Sequence, residues 1–218
     1  MDTYEALLHR RSIRKYLKDP VPIELVKKIM TAAIWAPSGS NSQPWRFHVA
    51  MGKKRDELIQ ALINASGTEA PSVEEYDKLV EQVEKVRSSF LKQKDWTETG
   101  LRRMSKEGAS FIRFGSIRFY QAPVIIIVSK PTAIGGSSNM SIGAAVQNIL
   151  LAAHAEGLAT CWLGMPLVYG DRIREVLDIP QSETLVTSIS LGYPDKSSII
   201  NTVVMPRLSF EETVHLLS

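Results

Sequence analysis

Apolar side chains mark most of the chain's elements before anything else is considered. Ile23, Val26, Ile29, Met30 and Ala33 recur on one helical face behind Pro22, whose fixed φ suits a helix start. Pro37 and Gly39 end that pattern. Trp45, Phe47, Val49 and Met51 then alternate with Arg46, His48 and Ala50, which predicts a strand. Leu58, Ile59, Leu62 and Ile63 predict a helix over about 54–64. From about 72 to 94 the chain is strongly charged, with a thin stripe of Tyr76, Leu79, Val80, Val83, Val86 and Phe90. A stripe this thin predicts an excursion or a partner-facing arm more than a core helix. No clear period runs from 95 to 119.

Val124-Ile125-Ile126-Ile127-Val128 is a β-branched run of the kind found in strands buried on both faces. The longest apolar helix is predicted over about Met140–Glu156, closed by Gly157. Its small residues Gly143, Ala144, Ala145, Ala152 and Ala153 permit close packing. Thr160–Leu163 and Leu185–Leu191 read as strands, and Thr3–His9 and Asp171–Leu177 as short helices. Ser209 and Glu212 have the spacing of a capping box that opens a last helix. Helices and strands mix without regular alternation, so the expected class is α+β, a small sheet among many helices.

The 218 residues suffice for one well-filled core, and 44% apolar against 22% charged residues is ordinary for a globular domain. With 26 basic and 23 acidic residues the balance is too even for a nucleic-acid binder. Arg102, Arg103, Lys106, Arg113 and Arg118 give that class its local support, and Glu98 and Glu107 weaken it. The single cysteine, Cys161, excludes an intrachain disulfide and fits a reducing compartment. Met1-Asp2-Thr3-Tyr4-Glu5 lacks the basic and apolar regions of a signal peptide, and no run is long enough to span a bilayer. The expectation is a cytoplasmic protein without membrane or nucleic-acid partners.

Two clusters carry candidate chemistry. Arg10-Arg11-Ser12-Ile13-Arg14 packs three guanidiniums and a hydroxyl together, as a phosphate dianion requires. If extended, it places Arg10, Ser12 and Arg14 on one side and Arg11 and Ile13 on the other. The same residues also make an ordinary basic loop after a helix. Pro37-Ser38-Gly39-Ser40-Asn41-Ser42-Gln43 holds donors and acceptors suited to the edge of a flat heterocycle, with Gly39 allowing backbone to come close, yet it also reads as a surface turn. Leu163-Gly164, after an apolar strand, marks a turn or a close approach. Cys161 has no basic neighbour in sequence and reads as a buried structural thiol. His9, His48, His154 and His215 lack metal-ligand spacing, and His154 reads as a packing residue. No Walker A run, nucleophile elbow or complete dinucleotide fingerprint is present.

Taken in order, these stretches resemble the FMN-dependent nitroreductase family. The resemblance is carried by Arg10–Arg14, Ala36–Trp45, Gly143–Ala153, Cys161–Gly164, Leu191–Pro194 and Arg207. It implies an α+β nitroreductase-like fold with a small, mostly antiparallel sheet surrounded by helices, in an intertwined homodimer with FMN at the subunit interface. Residues 1–218 would form one domain, with a variable charged lid over about 67–115. Arg10, Ser12 and Arg14 would hold phosphate and ribityl chain, with Arg11 adjacent and Arg207 as a further cation. Pro37, Ser38, Ser40 and Asn41 of the other subunit would meet the ring, with Gly39 and Gln43 beside them. Backbone at Leu163 and Gly164 would face flavin N5.

The implied activity is ping-pong transfer from NADH or NADPH to a nitroaromatic, a quinone or another small acceptor, with no side chain acting as nucleophile. Tyr76, Phe90, Trp96, Phe111 and Phe114 are the aromatic candidates for the substrate face. Two departures stand out. Some family members have an acidic residue where Leu163 stands, and an acid often opens the helix that here begins Met140-Ser141-Ile142. The same fold could serve a dehalogenase-like or flavin-consuming member, or a non-catalytic flavin-sequestering protein.

Overall fold

The computed structural model describes residues 2–67, 70–90, 106–136, 138–202, 204 and 207–217. In chain order the described elements are α1 (Thr3–His9), α2 (Ile23–Ile34), β1 (Arg46–Met51), α3 (Gly52–Ala65), α4 (Val73–Phe90), α5 (Lys106–Ile117), β2 (Val124–Pro131), α6 (Ser138–Ala155), β3 (Ala159–Leu163), α7 (Gly170–Leu177), β4 (Glu183–Gly192) and α8 (Phe210–Thr213). The strands form one sheet in the order β1-β2-β4-β3, and every pair is antiparallel. The expected α+β class, a small antiparallel sheet among many helices, is what the chain adopts.

β2 explains why. It is central, so both its faces are covered, and Val124 to Val128 have no exposed surface. Successive side chains of a strand point to opposite faces. Val124, Ile126 and Val128 therefore enter a core with α2 and α6, while Ile125 and Ile127 enter a second core with α3, α4 and α5. Burying each such side chain contributes about 1.5–3 kcal/mol. α6 ends as its sequence predicts. Gly157 adopts φ +75°, its N–H reaches the His154 carbonyl, and the Leu158 N–H reaches Ala153 at 2.8 Å.

Three sequence expectations are revised. Pro22 is the residue before α2, with ψ 137°, and not its first helical residue. The unassigned region contains a helix, α5, while 95–105 lie outside the described residues. The thin stripe of α4 is buried and not merely partner-facing: Tyr76 and Val83 are 2% and 1% exposed. The gap left by so few apolar residues is filled from α5, whose Phe111 stacks with Tyr76 at 6.3 Å between ring centroids. Val86 and Phe90 of that stripe, and Trp96, lie outside the side chains described. Among the aromatic candidates for a substrate face, Tyr76 and Phe111 are thus committed to the core.

Candidate functional site

The segment after α1 docks on the edge of the sheet. Arg10 caps α1, donating its N–H to the Ala6 carbonyl at 3.1 Å, and its own ψ of 138° turns the chain away. Ser12 then bridges Thr160 of β3 in parallel, and Leu17 donates to the Tyr193 carbonyl at 2.9 Å. Asn201 ties this segment to the loop after β4. Its Oδ1 accepts from the N–H groups of Arg14 (3.0 Å) and Lys15 (3.2 Å), and its Nδ2 donates to the carbonyls of Lys15 (2.8 Å) and Asp195 (2.9 Å).

The cations of this segment meet different fates. The Lys15 ammonium lies 3.3 Å from Glu84 of α4 and 3.8 Å from Asp195, so its charge is met within the chain. Arg10 is placed otherwise. Its Nε is buried without an acceptor among the described residues. Burial first, then the charges of Arg207 and Arg11, hold its guanidinium below the usual arginine value. Arg11 curls back, donating from Nη1 to the carbonyls of Leu8 (2.6 Å) and Arg10 (2.8 Å).

Arg10 and Arg11 line one cavity of about 400 Å³ with His9, His154, Thr160 and Asn201. Among the described residues its one lining carboxylate, Asp195, is already bound by Lys15 and by Ser197 at 2.5 Å. The arrangement is a donor-rich cavity with excess positive charge, which suits a phosphate-like anion.

The predicted alternation fails here. Arg10 and Arg11 share the cavity because Arg10 is a helix cap and not a strand residue. Arg14 instead hydrogen-bonds the Tyr120 phenol, whose pKa burial pushes up to about 12. Arg207, far along the chain, is close enough to Arg10 to perturb it.

The Pro37–Gln43 loop sits elsewhere. Ser40, Asn41 and Gln43 adopt positive φ of 51°, 52° and 43°, which costs a non-glycine residue about 1–3 kcal/mol. The Gln43 N–H donates to Ser38 Oγ at 3.0 Å, and the Gly39 N–H reaches Ser141 Oγ in the first turn of α6 at 3.4 Å. Pro37, Ser38, Gly39 and Ser42 line a second cavity of about 460 Å³ with Met140 and Ser141. A Cβ at Gly39 would meet nothing within 4 Å, so the chain's own packing does not demand glycine there.

Ser141 and His154 mark the two cavities at opposite ends of α6, about 20 Å apart along its axis. The two clusters are therefore not brought together within one chain. Leu163 ends β3 and Gly164 follows it, and Ser188 Oγ donates to the Leu163 carbonyl at 2.8 Å where the chain leaves the sheet. Thr160, beside the arginines, is about 13 Å along the strand from Gly164. A group that touches both ends of β3 must be elongated, with its anionic end at Arg10.

The sequence matches the nitroreductase family model over residues 7–193. This chain belongs to the nitroreductase family. It is 32% identical over 207 residues to the chloronitrobenzene nitroreductase of Comamonas testosteroni, covering 93% of this chain and 91% of that protein. It is 30% identical over 206 residues to nitroreductase NfnB of Mycolicibacterium smegmatis, covering 94% and 88%. Its fold matches the crystal structure of the FMN-dependent nitroreductase NfnB from Mycobacterium smegmatis in complex with NADPH, with a TM-score of 0.80 at 26% identity over 99% of this chain and 97% of that one. In this nitroreductase-family chain the matched span takes in the arginine segment, the Pro37–Gln43 loop, His154 and Leu163-Gly164, while Asp195, Asn201 and Arg207 lie beyond it.

Sequence reasoning missed Asn201, which nothing local distinguishes, and read His154, which lines the cavity, as a packing residue. Among the described residues no cluster of His, Cys, Asp or Glu could hold a metal ion, and no helix is long and apolar enough to cross a membrane. Arg118, one of the basic residues considered for nucleic acid, is buried with its guanidinium 5.2 Å from the Tyr76 ring centroid. Arg102 and Arg103 lie outside the described residues.

Proposed function

We propose that this chain is an FMN-dependent oxidoreductase that uses NADH or NADPH to reduce nitroaromatics, quinones or similar small acceptors, and that it works as a homodimer in the cytoplasm. The observation that carries the reading is the convergence of Arg10 and Arg11 on one cavity, with the Arg207 charge acting on Arg10, at one end of an edge strand whose other end is Leu163. When bound, FMN supplies the two-electron chemistry, taking hydride from a reduced nicotinamide and passing electrons to the acceptor. Arg10, Arg11, Ser12 and Arg207 would hold the phosphate. Arg14, braced by Tyr120, would lie along the ribityl chain and ring. The backbone at Leu163 and Gly164 would face the N5 edge, where an N–H can serve in place of the acid some relatives carry. No side chain is asked to act as a nucleophile. The solved relative with NADPH supports the donor.

The homodimer rests on the length of α6. One chain holds the arginines at one end of that helix and Pro37, Ser38, Gly39, Ser40, Asn41 and Gln43 at the other. A second copy running the opposite way would bring its loop to the first copy's arginines. Trp35, 82% exposed, and Ile34 lie beside that loop and offer apolar surface for the contact. Residues 1–218 make one domain, in which about 67–115 covers the substrate side.

Two measurements test the proposal. Purified protein loaded with FMN should lose its visible flavin absorbance under anaerobic NADH or NADPH, and should turn over with menadione or nitrofurazone. Bleaching without turnover would instead mark a flavin-sequestering protein. Sedimentation should show a dimer, and a monomer that binds FMN at full affinity would sink the shared-site reading.

A further inference from the structure

His154 is the one titratable side chain of α6 that faces the arginine cavity. From α1 and the segment after it, His9, Arg10 and Arg11 line the same cavity, and Glu5 acts on the imidazole from a distance. From the loop after β4 come Lys196 and Asp195, the latter engaged by Lys15. Arg207 acts through Arg10. Glu156, also at this end of α6, is taken up by Lys28 of α2 at 2.7 Å. Among the described residues, the imidazole thus shares its cavity with Arg10, Arg11 and Lys196 and with one carboxylate, Asp195.

Its place on the helix matters as much. His154 is in the last turn of α6, where the helix presents its negative pole. A phosphate brought against that pole is repelled by it, and a neutral imidazole does nothing to offset this. A protonated imidazole lies between the pole and the anion and is favourable to both.

We propose that His154 is a proton-coupled ligand of the anion in this cavity, neutral in the open site and protonated when a phosphate monoester binds. The inference rests on the cavity being the FMN phosphate site. Burial first, then the charges of Arg10, His9 and Arg11, hold the open-site imidazole below its usual value, and Glu5 opposes only in part. A dianion beside it opposes those charges and favours the protonated imidazole. One proton passes from solvent to the imidazole on binding, and one returns on release. Affinity for the monoester therefore falls as pH rises through the range in which the bound-state imidazole deprotonates.

The test is calorimetry of FMN binding to the flavin-free protein near pH 7.5, in two buffers of different ionisation enthalpy. The phosphate is then already a dianion, since its second pKa is about 6. Wild type should take up protons on binding FMN and none on binding riboflavin, which lacks the phosphate. His154→Gln should lose the uptake and weaken FMN about tenfold at pH 6.5, with the difference closing by pH 8.5. His9→Gln should keep the uptake. Equal uptake in wild type and His154→Gln, or loss of uptake in His9→Gln instead, overturns the assignment to His154. Equal affinity for FMN and riboflavin would overturn the phosphate site itself, a separate failure.

Discussion

The backbone N–H of Ile13 donates to the carbonyl of Thr160 at 2.9 Å. With the Ser12–Thr160 bridge, that bond fastens the arginine segment along the outer edge of β3. One contact does two jobs. It covers an edge strand that would otherwise offer unpaired groups to another chain, and it holds Arg10 and Arg11 beside the C-terminal end of α6.

Arg10→Gln should separate binding from folding. The guanidinium is half-buried among like charges, so its loss should not lower the urea midpoint. FMN affinity should fall about 10- to 100-fold, the worth of a charge-assisted hydrogen bond pair. Riboflavin affinity should stay where it was. Fluorescence titration with both flavins reads the difference, and an equal loss for both would contradict a phosphate role.

Asn201→Ala removes the partner of four backbone groups at once, the N–H groups of Arg14 and Lys15 and the carbonyls of Lys15 and Asp195. Stability should drop by about 2–4 kcal/mol, since the site is only part-buried and water can replace some of these bonds. Urea unfolding with an unchanged slope would show it, and a change under 1 kcal/mol (~1) would mean that the loop is held by other contacts.

Asp195 should make stability depend on acid pH. Hydrogen bonds from Ser197 and the charge of Lys15 hold its carboxyl below the usual range, although burial opposes them. A carboxyl lowered by folding gives stability that is fully present above its unfolded pKa of about 3.9, and that is lost as pH falls through the lower folded value. Asp195→Asn should flatten the stability curve below about pH 4. Chemical denaturation from pH 3 to 7 compares the two, and parallel curves would refute the linkage.

Gly115→Ala should damage the α4–α5 contact. A Cβ there would lie 2.6 Å from Tyr120 Cδ1 and 2.7 Å from Tyr76 Oη, both in buried side chains. Neither ring has room to retreat, because Phe111 packs against each. Overpacking of this kind costs about 1–3 kcal/mol, and calorimetry should show a lower Tm.

Much of the fold is legible in one dimension because its signals are local. The Val124–Val128 run, the Gly157 stop and the Ser209–Glu212 box each need only near neighbours, and each appears where expected. The charged helix α4 misleads, because its apolar stripe counts only its own residues while Phe111 and Tyr120 complete the packing from elsewhere. Alternation misleads at Arg10, where a helix cap replaces the extended backbone that the pattern assumes.

By itself the sequence established most of the elements, the α+β class and the residue types able to grip a phosphorylated, ring-bearing group, since propensity, capping and spacing act over a few residues. Only the tertiary structure decided which cations stay uncompensated. Lys15 meets Glu84 across 69 positions, whereas Arg10 lies near Arg207 and shares a cavity with His154, and among the described residues its Nε has no acceptor. Only it put the two clusters at opposite ends of α6. Electrostatic fate depends on distance through space, and that distance exists only once the chain has folded.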